Sequence, residues 1–406
     1  MLISRKIRIY PDDSQQAIIN NTFDVCRFMW NKMLEYSIKS FDSGKLIIPN
    51  YGDIVSEYQF LSKDNKGYVF DRHSVNNVKQ FLRLSFSKYF DTIRTKNIKY
   101  RKDGKPKGFP RFKSKKFSKN SYTNYHRENI RIDCQNHLIK LPCLGWVKYN
   151  LREKDFNDNW RLLHITISKS STNKYYCSLC FEYENHQIGY NGLDFLINPK
   201  QTLNILGIDY SSSSLYVDSN GNKPGYPKYY RSNQKRLRML QKKLSRQRKG
   251  SVNRNKTIQQ IRILHEKISN QRYDFLHKLS TSITKMFDVI CVEDIDMKNM
   301  SQCLHLGKST MDNGFGIFRN MLKYKQNRIP FHLMITAEKW FPSSKTCSCC
   351  GNIKHDLSLK DRVYKCDHCG NIIDRDVNAA INLKQYAFIH INAIAQRFVD
   401  RSFSMN

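Results

Sequence analysis

Two Cys-x-x-Cys-Gly knuckles, Cys347/Cys350 with Gly351 and Cys366/Cys369 with Gly370, run directly into Asp374-Arg375-Asp376-Val377-Asn378-Ala379-Ala380. Each knuckle presents two thiolates on a tight turn whose backbone glycine tolerates. Four sulfurs then predict one tetrahedral Zn²⁺ held by Cys347, Cys350, Cys366 and Cys369. The intervening segment 351–365 has a length in or near the range of zinc ribbons. A disulfide pair in a secreted protein is the competing reading. It finds no support in a signal peptide, and no apolar run is long enough to span a membrane. Cys349 lies inside the first knuckle, but only Cys350 gives both the spacing and the following glycine.

The charge balance narrows the partners. Lys and Arg number 69 against 35 Asp and Glu, a formal net charge of +34 that exceeds any need of solubility. A polyanion is the expected partner, and the spread of cations along the chain predicts a long electropositive channel rather than one basic tail. Nucleic acid fits better than a membrane surface. Aromatics interleave with cations in Phe109-Pro110-Arg111-Phe112-Lys113-Ser114-Lys115-Lys116-Phe117 and on to Tyr122 and Tyr125, offering stacking faces between phosphate-pairing groups. The plain alternative is a solvated loop with a few core aromatics. Twelve cysteines without a secretory signal point to a reducing compartment, and so to the cytoplasm.

A chain of 406 residues accommodates two to four domains. Lys6-Ile7-Arg8-Ile9-Tyr10 alternates as a strand and Pro11 ends it; Ser14 is then the expected N-cap of a helix with Ile18, Ile19, Phe23, Met29 and Met33 along its apolar face. Polar-faced helical sequence continues to about Thr95. Residues 97–120 read as a linker or nucleic-acid-contacting loop. Short alternating runs over 130–184, including 162–167 and 175–182, predict a small antiparallel barrel or sheet. Cys177 and Cys180 have the spacing of a metal knuckle but sit inside such a run with no second pair nearby, so they are read as strand residues.

A new domain is expected from about Leu203. Leu203-Asn204-Ile205-Leu206-Gly207-Ile208-Asp209 is an apolar strand ending in a carboxylate, and Leu215-Tyr216-Val217 follows as its hairpin partner before the turn at Asn220-Gly221. Phe287-Asp288-Val289-Ile290-Cys291-Val292-Glu293 repeats the pattern after a helix. Active sites gather at the carboxyl ends of strands in open α/β sheets. Asp376 opens a helix containing Val377, Ala380, Ile381 and Leu383, with Asp374 as a candidate cap. Taken singly, each acid is explicable as a turn former, a loop residue or a cap neighbour. Together, Asp209, Glu293 and Asp376 can converge on two divalent cations, as phosphodiester hydrolysis requires, and oxygen ligands favour Mg²⁺ or Mn²⁺.

Gly207-Ile208-Asp209, Val292-Glu293-Asp294, Trp340-Phe341-Pro342-Ser343-Ser344-Lys345-Thr346-Cys347 and Asp374 to Ala380 resemble the motifs of the TnpB family, transposon-encoded RNA-guided DNA endonucleases related to type V CRISPR effectors. Lys6 to Tyr10, Arg27 to Asn31, Leu141-Pro142-Cys143-Leu144-Gly145, Lys243-Leu244-Ser245-Arg246, Lys249-Gly250-Ser251 and 271–280 extend the resemblance over nearly the whole chain. It implies a multidomain α/β protein with β-barrel and helical parts. An amino-terminal wedge barrel over 1–12 and 111–200 would be interrupted by a helical recognition domain over 13–110. A RuvC-like nuclease of RNase H-type fold would occupy 201–340 and 374–406, interrupted by a zinc ribbon over 341–373.

The resemblance further implies that Asp209, Glu293 and Asp376 are the catalytic, magnesium-binding acids, with Asp376 preferred to Asp374 because the family uses the second acid of Asp-Arg-Asp. The four cysteines would be zinc ligands. One departure is Tyr210-Ser211-Ser212, where many members carry glycine two residues after the first acid. The implied partners are a guide RNA from the transposon end and double-stranded target DNA, with one protein per guide RNA. Basic helices such as 235–249 would grip the RNA, and the loop 296–313 is either a lid or an ordinary surface connection. A nuclease-inactive repressor would not need three aligned acids. A DNA-joining transposase would transfer strands without guide RNA, and a type V CRISPR effector would share every residue named.

Overall fold

The computed structural model describes residues 2–61, 68–95, 108–116, 119–150, 160–183, 203–297, 312–330, 332–358 and 361–403. The chain divides into two compact units, Met1–Asn185 and His186–Asn406.

In the first unit, strand β1 (Leu2–Tyr10) is followed by helices α1 (Asp13–Asp42), α2 (Tyr51–Val55), α3 (Arg72–Asn76) and α4 (Val78–Arg94). Among the described residues, the helical stretch expected up to about Thr95 comes as these four α-helices. Asp12, not Ser14, caps α1: its Oδ1 accepts from Gln15 N at 2.8 Å while Asp12 N donates to Gln15 Oε1 at 3.1 Å. A capping box needs Gln or Glu three residues after the cap, which Asp12 has and Ser14 lacks. Ser14 instead donates its hydroxyl to Asp12. Ile19, Phe23, Cys26, Met29, Trp30 and Met33 form the buried stripe of α1.

Strands β2 (Asn120–Asn124), β3 (Arg131–Asp133), β4 (Leu138–Leu141), β5 (Gly145–Asn150), β6 (Arg161–Lys169) and β7 (Tyr175–Glu182) join β1 in one seven-stranded antiparallel sheet. Its order is β2-β6-β7-β1-β5-β4-β3, with β1 in the middle and the helices inserted between β1 and β2. Along β7, Tyr175, Cys177, Leu179 and Phe181 are buried and the residues between them are not. Cys177 and Cys180, an odd number of residues apart, therefore point to opposite faces, which rules out a shared metal and bears out their reading as strand residues.

The second unit is built on β8 (Ile205–Ser211), β9 (Leu215–Asp218), β10 (Val289–Val292) and β11 (Leu333–Thr336), in the order β11-β10-β8-β9. β8 and β9 are an antiparallel hairpin, whereas β10 runs parallel to both β8 and β11. Helices α5 (Tyr229–Arg246) and α6 (Val252–Met286) connect β9 to β10, and α7 (Phe315–Gln326) precedes β11. Short strands β12 (Val363–Lys365) and β13 (Ile372–Asp374) lead into α8 (Arg375–Phe403).

Alternation along β8 divides this unit's core. Leu206 and Ile208 pack with Leu276 and Ile283 of α6 and with Phe315 and Phe318 of α7. Ile205 packs with Leu383, Ala387 and Ile391 of α8 on the other side. Odd-numbered residues of β8, Asp209 among them, consequently face α8.

Candidate metal and carboxylate site

The two knuckles are copies of one backbone motif. Gly351 N donates to Cys347 O and Gly370 N to Cys366 O, with both glycines left-handed at φ 76° and 71°. Cys347 N donates to Asn352 O at 2.8 Å, and Cys366 N to Asn371 O at 2.9 Å. All four sulfurs lie within 4.8 Å of one another, as a single tetrahedral ion requires. Backbone N–H groups, that of Cys369 first, hold the Cys366 thiol below its ordinary range. Burial acts to raise Cys347, but N–H groups of Cys350 and Cys349 and the neighbouring thiols bring it to about 6. The N–H groups of Asn352 and Asn371 act to lower Cys350 and Cys369, but the neighbouring thiols push both up, so the four sulfurs share protons that a bound cation would displace. The described cysteines are all free thiols, and Cys349 is exposed and outside the cluster.

The first two acids meet through sheet register. Ile208 pairs with Val292 across the parallel β8–β10 ladder, so Asp209 and Glu293 are the next residues along adjacent strands. β8 continues two residues beyond Asp209, pairing it with Val217, so the acid lies within the hairpin rather than at its end. The third acid arrives on α8, which β13 feeds without a loop. Asp374 Oδ1 accepts from Asp376 N at 2.9 Å and Val377 N at 3.2 Å, and its Oδ2 pairs with Lys223 at 2.8 Å. Asp374 is thus committed to capping, as the sequence suggested.

Burial pushes the Asp209 carboxyl well above the usual carboxylate range, and the charges of Glu293 and Asp376 push it further. Glu293 is also raised, again by burial, against a hydrogen bond shared with Asp209. A carboxylate cluster that resists ionising is one that a cation would relieve. The acids are gathered more loosely than the sulfurs: among the described residues, the cysteines alone form a set of three or more ligands within 4.8 Å.

Three side chains that sequence reasoning missed bind the two centres together. Asn378 Nδ2 donates to Thr346 O and its Oδ1 accepts from Ser348 N, so it clamps the first knuckle. Asn382 Nδ2 donates to Ser343 O and Thr346 O, both at 2.7 Å, and Gln385 Nε2 to Ser348 O at 2.9 Å. Their i, i+4, i+7 spacing, a polar stripe on one face of a helix, was the available signal.

The model described as "Probable transposase" matches residues 178–304, that described as "Cas12f1-like, TNB domain" 315–383, and that described as "Helix-turn-helix domain" 1–45. A Streptomyces pristinaespiralis protein named "Putative RNA-guided DNA endonuclease" is 28% identical over 380 residues, covering 93% of this chain and 87% of its own. The chain is similar over most of its length to proteins of the TnpB family. A second relative, "Putative RNA-guided DNA endonuclease InsQ" of Escherichia coli K12, is 27% identical over 395 residues, with 93% and 90% coverage. The solved Cas12f1–sgRNA–target DNA complex aligns with 95% of this chain and 99% of its own at 14% identity, a weak likeness with a TM-score of 0.33.

In this chain, the stretch matched by the helix-turn-helix description is a strand and one continuous helix, β1 and α1. The expected aromatic–basic run is also different in detail. Phe109 and Tyr122 are buried, Phe109 edge-on to Phe86 and Tyr89, because each is needed in the core; Phe112 and Tyr125 remain exposed at 58% and 40%. Lys113 Nζ lies 3.7 Å from the ring centre of Trp30, whose indole N–H donates to Arg111 O. Phe117, most of 97–120 and most of the 296–313 loop fall outside the described residues. Helix α5 bears exposed Lys235, Arg236, Arg238, Lys242, Lys243 and Arg246, and buries Leu237 against Leu264 and Ile268 of α6. No described helix is long and apolar enough to cross a membrane.

Proposed function

We propose that this chain is an RNA-guided DNA endonuclease of insertion-sequence origin, cutting double-stranded DNA in a RuvC-like, RNase H-type site. The reading is carried by one observation, the meeting of Asp209, Glu293 and Asp376 from three separate segments beside a parallel strand pair. The names of its relatives accord with it.

An oxygen-only donor set suits Mg²⁺ or Mn²⁺, which when bound would supply an activated water and charge for the leaving oxygen. Burial and the neighbouring acids disfavour the charge of Asp209, so a cation bound there would relieve it. Burial also raises Glu293, against its hydrogen bond with Asp209, so both acids would gain from a shared cation. Asp376 stands on a helix start pinned to the cysteine knuckles, whose four thiolates suit a structural Zn²⁺.

The six-part division into split wedge barrel, helical recognition domain, split nuclease and zinc ribbon belongs to this proposal. The amino-terminal sheet, its helical insertion and the cations of α5 hold the guide RNA through its phosphates. The protein reads a short motif beside the target, and base pairing reads the rest. One protein acts per guide RNA, in a reducing cytoplasm.

The test is to purify the full chain with its bound RNA, sequence that RNA, and offer a matching DNA duplex with Mg²⁺. Cleavage is expected, and Asp209→Ala should abolish it while guide and target binding survive. Absence of copurifying RNA, or undiminished cutting by Asp209→Ala, defeats the reading.

A further inference from the structure

Asp312, Asn313 and Gly314 form a junction that none of the proposed metal ligands requires. Helix α5 begins at Tyr229, after Lys228 in left-handed conformation, and has no side-chain cap from that residue. Asp312, more than eighty residues further along the chain, supplies one. Its Oδ1 accepts from Tyr230 N at 2.8 Å and its Oδ2 from Arg231 N at 3.2 Å, with the Tyr226 hydroxyl at 3.3 Å from Oδ1. Arg272 of α6 donates its Nε to Asp312 O at 2.8 Å and brings Nη2 to 3.8 Å from the carboxylate. Asp312 is 2% exposed.

The next two residues carry the junction to the strand bearing Asp209. Asn313 Nδ2 donates to the hydroxyl of Tyr210, the neighbour of Asp209, and its Oδ1 accepts from Phe315 N. The Tyr210 ring lies 4.9 Å from that of Phe315. Gly314 has φ 68°, and a Cβ there would come within 3.1 Å of Arg272 Cδ, so the close approach to α6 is specific to glycine. One tripeptide therefore touches the start of the basic helix, its partner helix and the strand of the first acid.

We infer that Asp312 is a positioning residue for cleavage, fixing the start of the cation-bearing helix α5 against the strand that holds Asp209. Nucleic acid gripped along α5 is thereby held in constant register with the acids. This rests on the endonuclease reading and assigns it a residue outside the metal site. A cap of purely local importance would stabilise α5 alone. The tie from Asn313 to Tyr210 gives the same junction a route to the acids.

The experiment measures single-turnover cleavage and target affinity separately, using the full chain with its copurified RNA and a matching duplex. Asp312→Ala removes the acceptors, Asp312→Asn keeps an acceptor oxygen, and Tyr210→Phe removes only the hydroxyl that Asn313 reaches. Asp312→Ala is expected to slow saturated cleavage by about 10- to 100-fold, the scale of a small misplacement, with target affinity within about threefold. Asp312→Asn should restore most of the rate. Tyr210→Phe should lower the rate without a matching loss of melting temperature.

An Asp312→Ala rate equal to wild type, or a loss shared equally with affinity and with Asp312→Asn, overturns the inference. If Asp312→Ala fails to fold, the Tyr210→Phe rate decides: an unchanged rate overturns it. A wild-type complex that cuts no guided target sinks the endonuclease reading and this inference with it. Wild-type cutting with undiminished variants sinks this inference alone.

Discussion

A methyl group built on Gly207 would lie 1.9 Å from the carbonyl oxygen of Ala380 and 2.6 Å from Lys384 N, both backbone atoms of α8. Gly207 shares a strand face with Asp209, and Ala380 lies one helical turn beyond Asp376. The contact therefore sets how closely the third acid approaches the first. Gly207→Ala is expected to push α8 outward, cost about 1–3 kcal/mol of stability as an overpacked site does, and slow cleavage by about 100-fold. Thermal melting and a single-turnover assay check both. An unchanged cleavage rate would show that the helix gives way without moving Asp376.

The raised carboxyls make stability depend on pH in a definite sense. A folded-state pKa above the unfolded value means that the folded chain retains protons the unfolded chain has lost. This contribution is fully present below the ordinary values of 3.8 for Asp and 4.5 for Glu, and is lost as pH rises through the folded values. With chelator present, the melting temperature of wild type relative to Asp209→Asn should fall from pH 5 to pH 8. Mg²⁺ at pH 8 should restore it in wild type alone. A pH-independent difference would contradict the shared burial of Asp209 and Glu293.

Lys235, Arg238 and Lys242 lie three and four residues apart, on one exposed side of α5. If that face grips phosphates, changing all three to Ala should weaken RNA binding and reduce the slope of log affinity against log salt by about 2–3, given roughly 0.7–0.9 per contact. Filter binding across a salt series measures it. A slope equal to wild type would place the RNA elsewhere.

The residues that were legible in the sequence are those whose chemistry fixes their type. The cysteine spacing and the carboxylates following Ile208 and Val292 were visible as motifs, and the cap role of Asp374 was readable from its place two residues before Asp376. Less legible were residues whose role depends on distant backbone. The strand Asn120–Asn124 is polar, and its Thr123 pairs by hydroxyl with Thr166, a partner that no local pattern reveals. Phe109 and Tyr122 look like stacking residues beside lysines until the core claims them. Asp312 sits in what reads as loop, and its helix begins 83 residues earlier at Tyr229.

Asn382 separates the two roles of the ribbon. Its amide donates to Ser343 O and Thr346 O just before Cys347, and it is 2% exposed, so removing it strips the buried Ser343 carbonyl of this donor and leaves Thr346 O to the Asn378 amide, without touching a thiolate. Loss of buried hydrogen bonds costs about 1–3 kcal/mol. Asn382→Ala should therefore keep its zinc, melt earlier and cut more slowly, because α8 is no longer held where Asp376 meets Asp209. Cys366→Ser should lose zinc as well, and structural zinc contributes roughly 10–16 kcal/mol in small peptides. Zinc content by metal analysis, set beside cleavage rate, distinguishes the two. Were Asn382→Ala to cut at the wild-type rate, the ribbon would be a separately folded appendage rather than the anchor of the third acid.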